Sequence, residues 1–281
     1  MLNLQKLIIT KFVKQLKKAY EKNYTIIDPQ FGNIIAWSGQ LALENISNSD
    51  ALYHNVSHTI MVSLVGQTIL EGKHLAEGGV SPRSWMHFMI ALLCHDIGYV
   101  RGICRNDSPD AIATGIGDET ISLPAGGTDA ALAPYHVDRS KLFVKERFGG
   151  PMLVEVDAGL IASCIEMTRF PPPDDKFYQD TNGLPGLLRA ADFIGQLGDP
   201  EYLQKIPALF YEFEELGLNR PFGYKNPGDM RKNYAKFYWN TVYPYIQDAL
   251  HYLRVTQEGK QWIAKLHSHV FEIEHAEGLL L

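Results

Sequence analysis

The sequence predicts an all-α protein, and three observations carry that reading. Apolar residues recur with helical period along most of the 281 residues. Breaker clusters such as Gly78-Gly79, Gly149-Gly150-Pro151, FPPPDD and NRPFGYKNPGD fall between those stretches. Nowhere does a convincing run alternate apolar and polar residues as a half-buried strand does, and no internal repeat or low-complexity tract interrupts the pattern. With 46% apolar and 21% charged residues the composition is that of an ordinary globular chain. We expect a single domain over 1–281: an N-terminal helical extension over 1–50, a central core over 51–200, and C-terminal helices over 201–281 that cover a site.

In the first segment Ile8, Ile9, Phe12, Val13, Leu16 and Tyr20 form an apolar stripe, with lysines on the other face. Such a helix packs on its own domain, or lies on a membrane surface. The segment lacks the apolar core and small-residue cleavage site of a signal peptide, and no stretch is long and apolar enough to span a bilayer. Residues 58–77 predict a helix ending at Gly78-Gly79. Pro82 opens another, SWMHFMIALLCHD, apolar nearly all round and therefore buried over 84–96. Residues 101–127, rich in Gly, Asp, Ser and Thr, read as a long loop with at most a turn of helix, a lid or specificity loop. Thr128 or Asp129 caps the next helix, which runs to Phe148. A helix over 152–168 stops at the breaker FPPPDD. Two more, 184–198 and 200–216, hinge at Gly198-Asp199-Pro200. A long aromatic helix covers 229–257 and a last one 258–276.

Net charge is −6, from 26 basic and 32 acidic residues, which excludes a broad nucleic-acid surface. The three cysteines, Cys94, Cys104 and Cys164, make neither a CxxC nor a disulfide framework and suit a reducing, cytoplasmic compartment.

The chemistry begins at YHNVSH, residues 53–58. His54 and His58 stand four apart, a spacing that puts two imidazoles on one helix face, where they share a metal or divide metal binding and proton transfer. With ten histidines in the chain, chance alone also produces such pairs. The apolar helix over 84–96 then ends in His95-Asp96. A buried carboxylate needs a partner, and either a neighbouring helix end or a cation supplies one. Asp192 sits in a third apolar helix, LPGLLRAADFIGQL, beside Ala190 and Ala191. One metal drawing ligands from several helices accounts for all three segments.

His58, His95-Asp96 and Asp192 resemble the H…HD…D pattern of the HD-domain metal-dependent phosphohydrolase superfamily, and YHNVSH resembles the YHNxxH signature of its class I cyclic nucleotide phosphodiesterases. Further segments resemble that family in the same order across 50–250: YHVDRSKLF at 135–143, CIEMT at 164–168, AADFIGQL, and FYWNTVYPYI at 237–246. The resemblance implies an HD-domain helical bundle. It assigns His58, His95, Asp96 and Asp192 to a first metal (zinc, iron or manganese). Asp96 bridges to a second, water-rich site for magnesium or manganese. His54 becomes the general acid that protonates the leaving oxygen while a metal-bridging hydroxide attacks phosphorus; the alternative for His54 is a metal ligand. His136 falls where the family carries second-metal histidines, and Glu166 where it has a site aspartate; the alternative for each is a surface residue. Tyr53, Asn55, Tyr234, Phe237 and Arg169 are candidates for substrate contact, and Arg101 and Arg105 could also meet an anion.

Three features depart from the pattern. Tyr99 replaces the last histidine of HDxxH. Tyr234 stands where a purine-binding glutamine is expected, and a phenol cannot make the amide's two-way contact. The 101–127 loop has no counterpart. The expected function is cleavage of a phosphodiester or nucleotide phosphoester, with a small-molecule substrate, no extended nucleic-acid partner and homo-oligomers open. The alternatives are a nucleotide phosphomonoesterase, a di-iron oxygenase, or a non-catalytic ligand-binding protein. An oxygenase needs more histidines, and none lies between His136 and Asp192.

Overall fold

The apolar helix that leads to His95 has no polar face to turn to water, and in the computed structural model it is buried from Trp85 to its end. The structure describes residues 3–24 and 27–276. They form an all-α fold whose contacts gather into two units: residues 1–60 with 80–173, and residues 61–79 with 174–281.

In the first unit, α1 (Leu4–Tyr24) packs Ile9, Phe12, Val13, Leu16 and Tyr20 inward, chiefly against α2 (Pro29–Ile46). The Tyr20 hydroxyl donates to the carbonyls of Ile27 and Asp28, which ties the residues before α2 back to α1. The apolar stripe of the N-terminal segment thus packs on its own unit. The third helix, α3 (Val56–Glu77), begins in this unit and continues into the second.

Ser81 caps α4 (Pro82–Cys94), its side chain accepting from the Ser84 amide, with Pro82 in the first turn. The buried stretch of α4 lies between α2 and α6. His95 and Asp96 lie past the helix end, in a tight turn that continues as a 3-10 turn over Ile97–Tyr99.

The 101–127 loop carries a short antiparallel pair rather than a turn of helix, β1 (Ile112–Ala113) with β2 (Thr120–Ile121). Thr128 caps only a 3-10 turn, Asp129–Leu132, and α5 (His136–Phe148) starts afresh after Pro134. Pro134 has no amide hydrogen to give to the carbonyl four residues back, and its ring crowds that carbonyl, which interrupts a continuous helix from Thr128. The expected 152–168 helix is likewise shorter: α6 (Ala158–Glu166) is capped by Asp157.

In the second unit α7 (Leu184–Leu197) lies against α12 (Tyr243–Leu253) and α13 (Gln257–Glu274). Gly195 of α7 meets the backbone of Val62, leaving no room for a Cβ. Tyr202–Glu215 forms α8, Asn219–Phe222 α9, Pro227–Lys232 α10 and Tyr234–Phe237 α11. The aromatic helix expected over 229–257 is therefore broken, with a π turn over Tyr238–Val242 before α12. Pro244 has no amide hydrogen to offer the preceding turn, and a π turn absorbs that loss.

Cys94, Cys104 and Cys164 are buried and none is in a disulfide. Burial pushes all three thiols up to about 12. The thiolate is the reactive form. The folded protein is therefore expected to resist Ellman's reagent at neutral pH and to release three thiols once denatured; rapid labelling of the native protein would contradict this burial. Among the described residues no helix is long and apolar enough to cross a membrane.

Candidate metal centre

The centre is assembled from three segments of the first unit. The first is YHNVSH. Asn55, not a histidine, starts α3: its Oδ1 accepts from the amides of Ser57 (2.9 Å) and His58 (3.4 Å). His58 thus sits in the first turn of α3, buried, while His54 lies before the helix. The two histidines are not partners on one helix face, as their spacing suggests. The turn before the cap brings their rings together instead, centroids 5.5 Å apart and nearly perpendicular.

The second segment is the turn after α4. Consecutive side chains on a helix diverge, but the chain leaves helical geometry at Asp96 (φ −107°, ψ 5°), so His95 and Asp96 both face the same small volume. Asp96 Oδ2 lies 3.1 Å from His95 Nε2 and 3.2 Å from His58 Nε2.

The third is the start of α5, which clamps that turn. The Ser140 hydroxyl donates to the His95 carbonyl (2.8 Å) and accepts from the Gly98 amide (2.9 Å). A Cβ on Gly98 would run into the His136 carbonyl oxygen, so only glycine permits this approach. The same approach brings His136 Nε2 to 3.7 Å from Asp96 Oδ1.

Proton positions are set by the backbone. His95 Nδ1 is 2.8 Å from the Leu92 carbonyl, and His136 Nδ1 is 2.5 Å from the Ala133 carbonyl. A carbonyl only accepts, so each Nδ1 carries a proton, and in the neutral form each ring turns an Nε2 lone pair towards Asp96. Burial lowers the His136 pKa, with Asp96 pulling the other way, and this favours the neutral, ligating form. Burial alone would raise the Asp96 carboxyl; in their protonated forms the adjoining imidazoles outweigh it, through the charge of His95 and hydrogen bonds from His58 and His95, and hold it well below the ordinary carboxylate range. Asp96 Oδ2 is buried without a hydrogen bond of satisfactory geometry.

Lone pairs of a carboxylate and of neutral imidazoles facing each other repel unless a cation sits between them. One ring nitrogen each of His58 and His95 fall within 4.8 Å, close enough to share one ion. Bonds of about 2.1 Å to a metal separate neighbouring ligand atoms by about 3.0–3.4 Å, and the two distances to Asp96 Oδ2, 3.1 and 3.2 Å, fall in that span. The donor set therefore fits a divalent metal.

Tyr99 fills the place where the expected motif has a histidine. It is buried, and its ring is stacked between two imidazoles: 4.5 Å and 10° from His54, 4.6 Å and 23° from His136. The tyrosine thus orders the rings on either side of it. Tyr53 is buried beside both His54 and His58, with centroids at 5.2 and 5.3 Å.

Glu166 and Arg169 pair with each other, and Lys141 and Asp138 complete a four-residue network. The hydrogen bond to Glu166, above all, raises the Arg169 pKa. Arg101 bonds to Asp50 and Asp129, and Arg105 to the Glu146 side chain and backbone. Asp192 is on α7 of the second unit. Tyr234 is buried in that unit, donating to the Leu197 carbonyl, and Phe237 ends α11.

Sequence reasoning did not single out Gly98, Ser140 or Arg139. Arg139 is wholly buried; it donates to Asp107 and to the carbonyls of Gly98, Val100 and Ala113. Its one signal in the sequence is an arginine on the apolar side of an amphipathic helix.

The fold and the donor set define an all-α protein with a candidate metal centre. The chain belongs to the Npun_R2479-like family, whose model matches residues 2–276. No curated protein sequence is significantly similar to it.

Proposed function

We propose that the protein is a metal-dependent phosphohydrolase that cleaves a phosphodiester or nucleotide phosphoester. The observation that supports this best is the convergence on Asp96 of imidazole nitrogens, two of them in rings whose Nδ1–H is held by a backbone carbonyl so that Nε2 can ligate. His58, His95 and Asp96 would hold the first metal. Asp192 joins them on the strength of the HD-domain resemblance, and Asp96 and His136 would face the second. Bound divalent metals supply an activated water and neutralise charge on the phosphoryl oxygens.

The protein's own groups do the rest. His54 is next to the ligands but outside the helix that holds His58, and its ring plane is set by Tyr99. From there it donates a proton to the leaving oxygen, a role within the reach of an imidazole. Asn55 acts by starting α3 and so placing His58, a structural use of that residue.

Turnover tests the proposal. Purified protein of measured metal content is offered bis-p-nitrophenyl phosphate and p-nitrophenyl phosphate with added Mn²⁺ or Mg²⁺, beside Asp96→Ala. We expect diester cleavage that disappears in Asp96→Ala. Cleavage of the monoester alone would move the assignment to a nucleotide phosphomonoesterase. Bound metal with no hydrolysis of either would count against hydrolysis as the activity.

A further inference from the structure

α1 has two opposite stripes. Ile9, Phe12, Val13, Leu16, Tyr20 and Tyr24 are buried on one. On the other, Leu4, Leu7 and Ile8 stand out, 65%, 53% and 55% exposed, followed by exposed Lys11, Lys14, Lys18 and Lys22. Steps of three or four residues put all seven on one face. The outward stripe is therefore apolar at its beginning and cationic along the rest of a helix about 30 Å long. The helix holds six lysines and a single glutamate, Glu21, in a chain whose net charge is −6. Charge of this sign is concentrated here against the trend of the molecule.

We propose that this stripe of α1 docks on an anionic lipid surface. Packing of α1 on its own unit does not use this face; it presents it. Three large aliphatic side chains in water are unfavourable singly and are drawn into the headgroup and acyl boundary together. Lysine stems lie along that boundary while their ammonium groups reach lipid phosphates, and each adds to the attraction. A convex helix ridge with exposed lysines suits a fluid plane of negative charge better than the shaped recess of a protein partner. The inference is independent of the chemistry assigned to the metal centre.

The test is co-sedimentation of the full chain with vesicles of phosphatidylcholine alone and of phosphatidylcholine mixed with phosphatidylglycerol, at low and at raised salt. Partitioning onto the anionic vesicles is expected to be at least about tenfold stronger and to fade with salt. Leu7→Asp with Ile8→Asp, and separately Lys11→Glu with Lys14→Glu and Lys18→Glu, are expected to abolish the difference; circular dichroism checks that the fold survives these exposed changes. No preference for anionic vesicles overturns the proposal, as does a preference that both variants retain. A dimer in light scattering that Leu7→Asp with Ile8→Asp dissolves would give the face to a second copy of the chain and also overturn it.

Discussion

His54→Ala is expected to keep its metal and to lose on the order of 10²–10⁴-fold in turnover, the usual contribution of a positioned general acid. His58→Ala and Asp192→Ala are expected to lose the metal itself. The separation rests on where the two histidines of YHNVSH fall. His58 is held in the first turn of α3 with its Nε2 3.2 Å from Asp96 Oδ2, the distance of neighbouring ligands around one ion. His54 precedes the Asn55 cap, and its ring lies flat against Tyr99. Removing His58 deletes an electron pair from the centre; removing His54 leaves His58, His95 and Asp96 in place. Metal content by mass spectrometry and hydrolysis of a diester with an alcohol leaving group, measured on the same samples, separate the roles. An empty site in His54→Ala would make His54 a ligand. Full metal with unchanged turnover would remove it from the reaction. A substrate with a better leaving group should narrow the gap between His54→Ala and the parent, because a good leaving group has less need of a proton.

The sequence made parts of this visible and hid others, for physical reasons. The burial of α4 was legible because an all-apolar helix has no solvent face to offer, and its start was legible in Pro82. Periodicity carried the 229–257 helix too far, since aromatic residues keep their spacing straight through Pro244; the proline was the better guide. Pro134 marked the true start of α5 in the same way. At the centre, the residue types could be read but their arrangement could not. The i, i+4 spacing of His54 and His58 suggests a shared helix face, whereas Asn55 is a strong cap and begins the helix between them. Tyr99 looks like a lost ligand when set beside the motif. Only the close approach of Gly98 to α5 shows why a flat ring fits there, with an imidazole on each side. Carbonyls that fix tautomers leave no trace in a sequence at all.

The same blindness covers the contact whose loss should cost most. Arg139 and Asp107 stand 32 residues apart, with side-chain exposures of 0% and 1%, in a double hydrogen bond at 3.1 and 2.9 Å. Asp107 also accepts from the amides of Cys104 and Ala113, and Arg139 bonds to the carbonyls of Gly98 and Val100. The pair thereby ties the 101–127 loop and the turn after Asp96 to α5. Arg139→Met leaves a carboxylate buried without its cation, a change that costs about 3–5 kcal/mol and lowers the melting midpoint by roughly 6–20 °C for a protein of this size. Asp107→Leu strands the guanidinium in the same way. The double variant strands neither, so it should melt above both single variants, although the carbonyls that Arg139 served remain unsatisfied and hold it below the parent. Calorimetry of the four proteins checks the order. Single variants that melt with the parent would show that water reaches the pair, and additive losses in the double variant would show that the two side chains act through separate contacts. Metal content of Arg139→Met, measured below its melting point, reads the second consequence. Gly98 takes its place through the Arg139 and Ser140 bonds, so a loosened turn should hold its ion less tightly even while the helices stay folded.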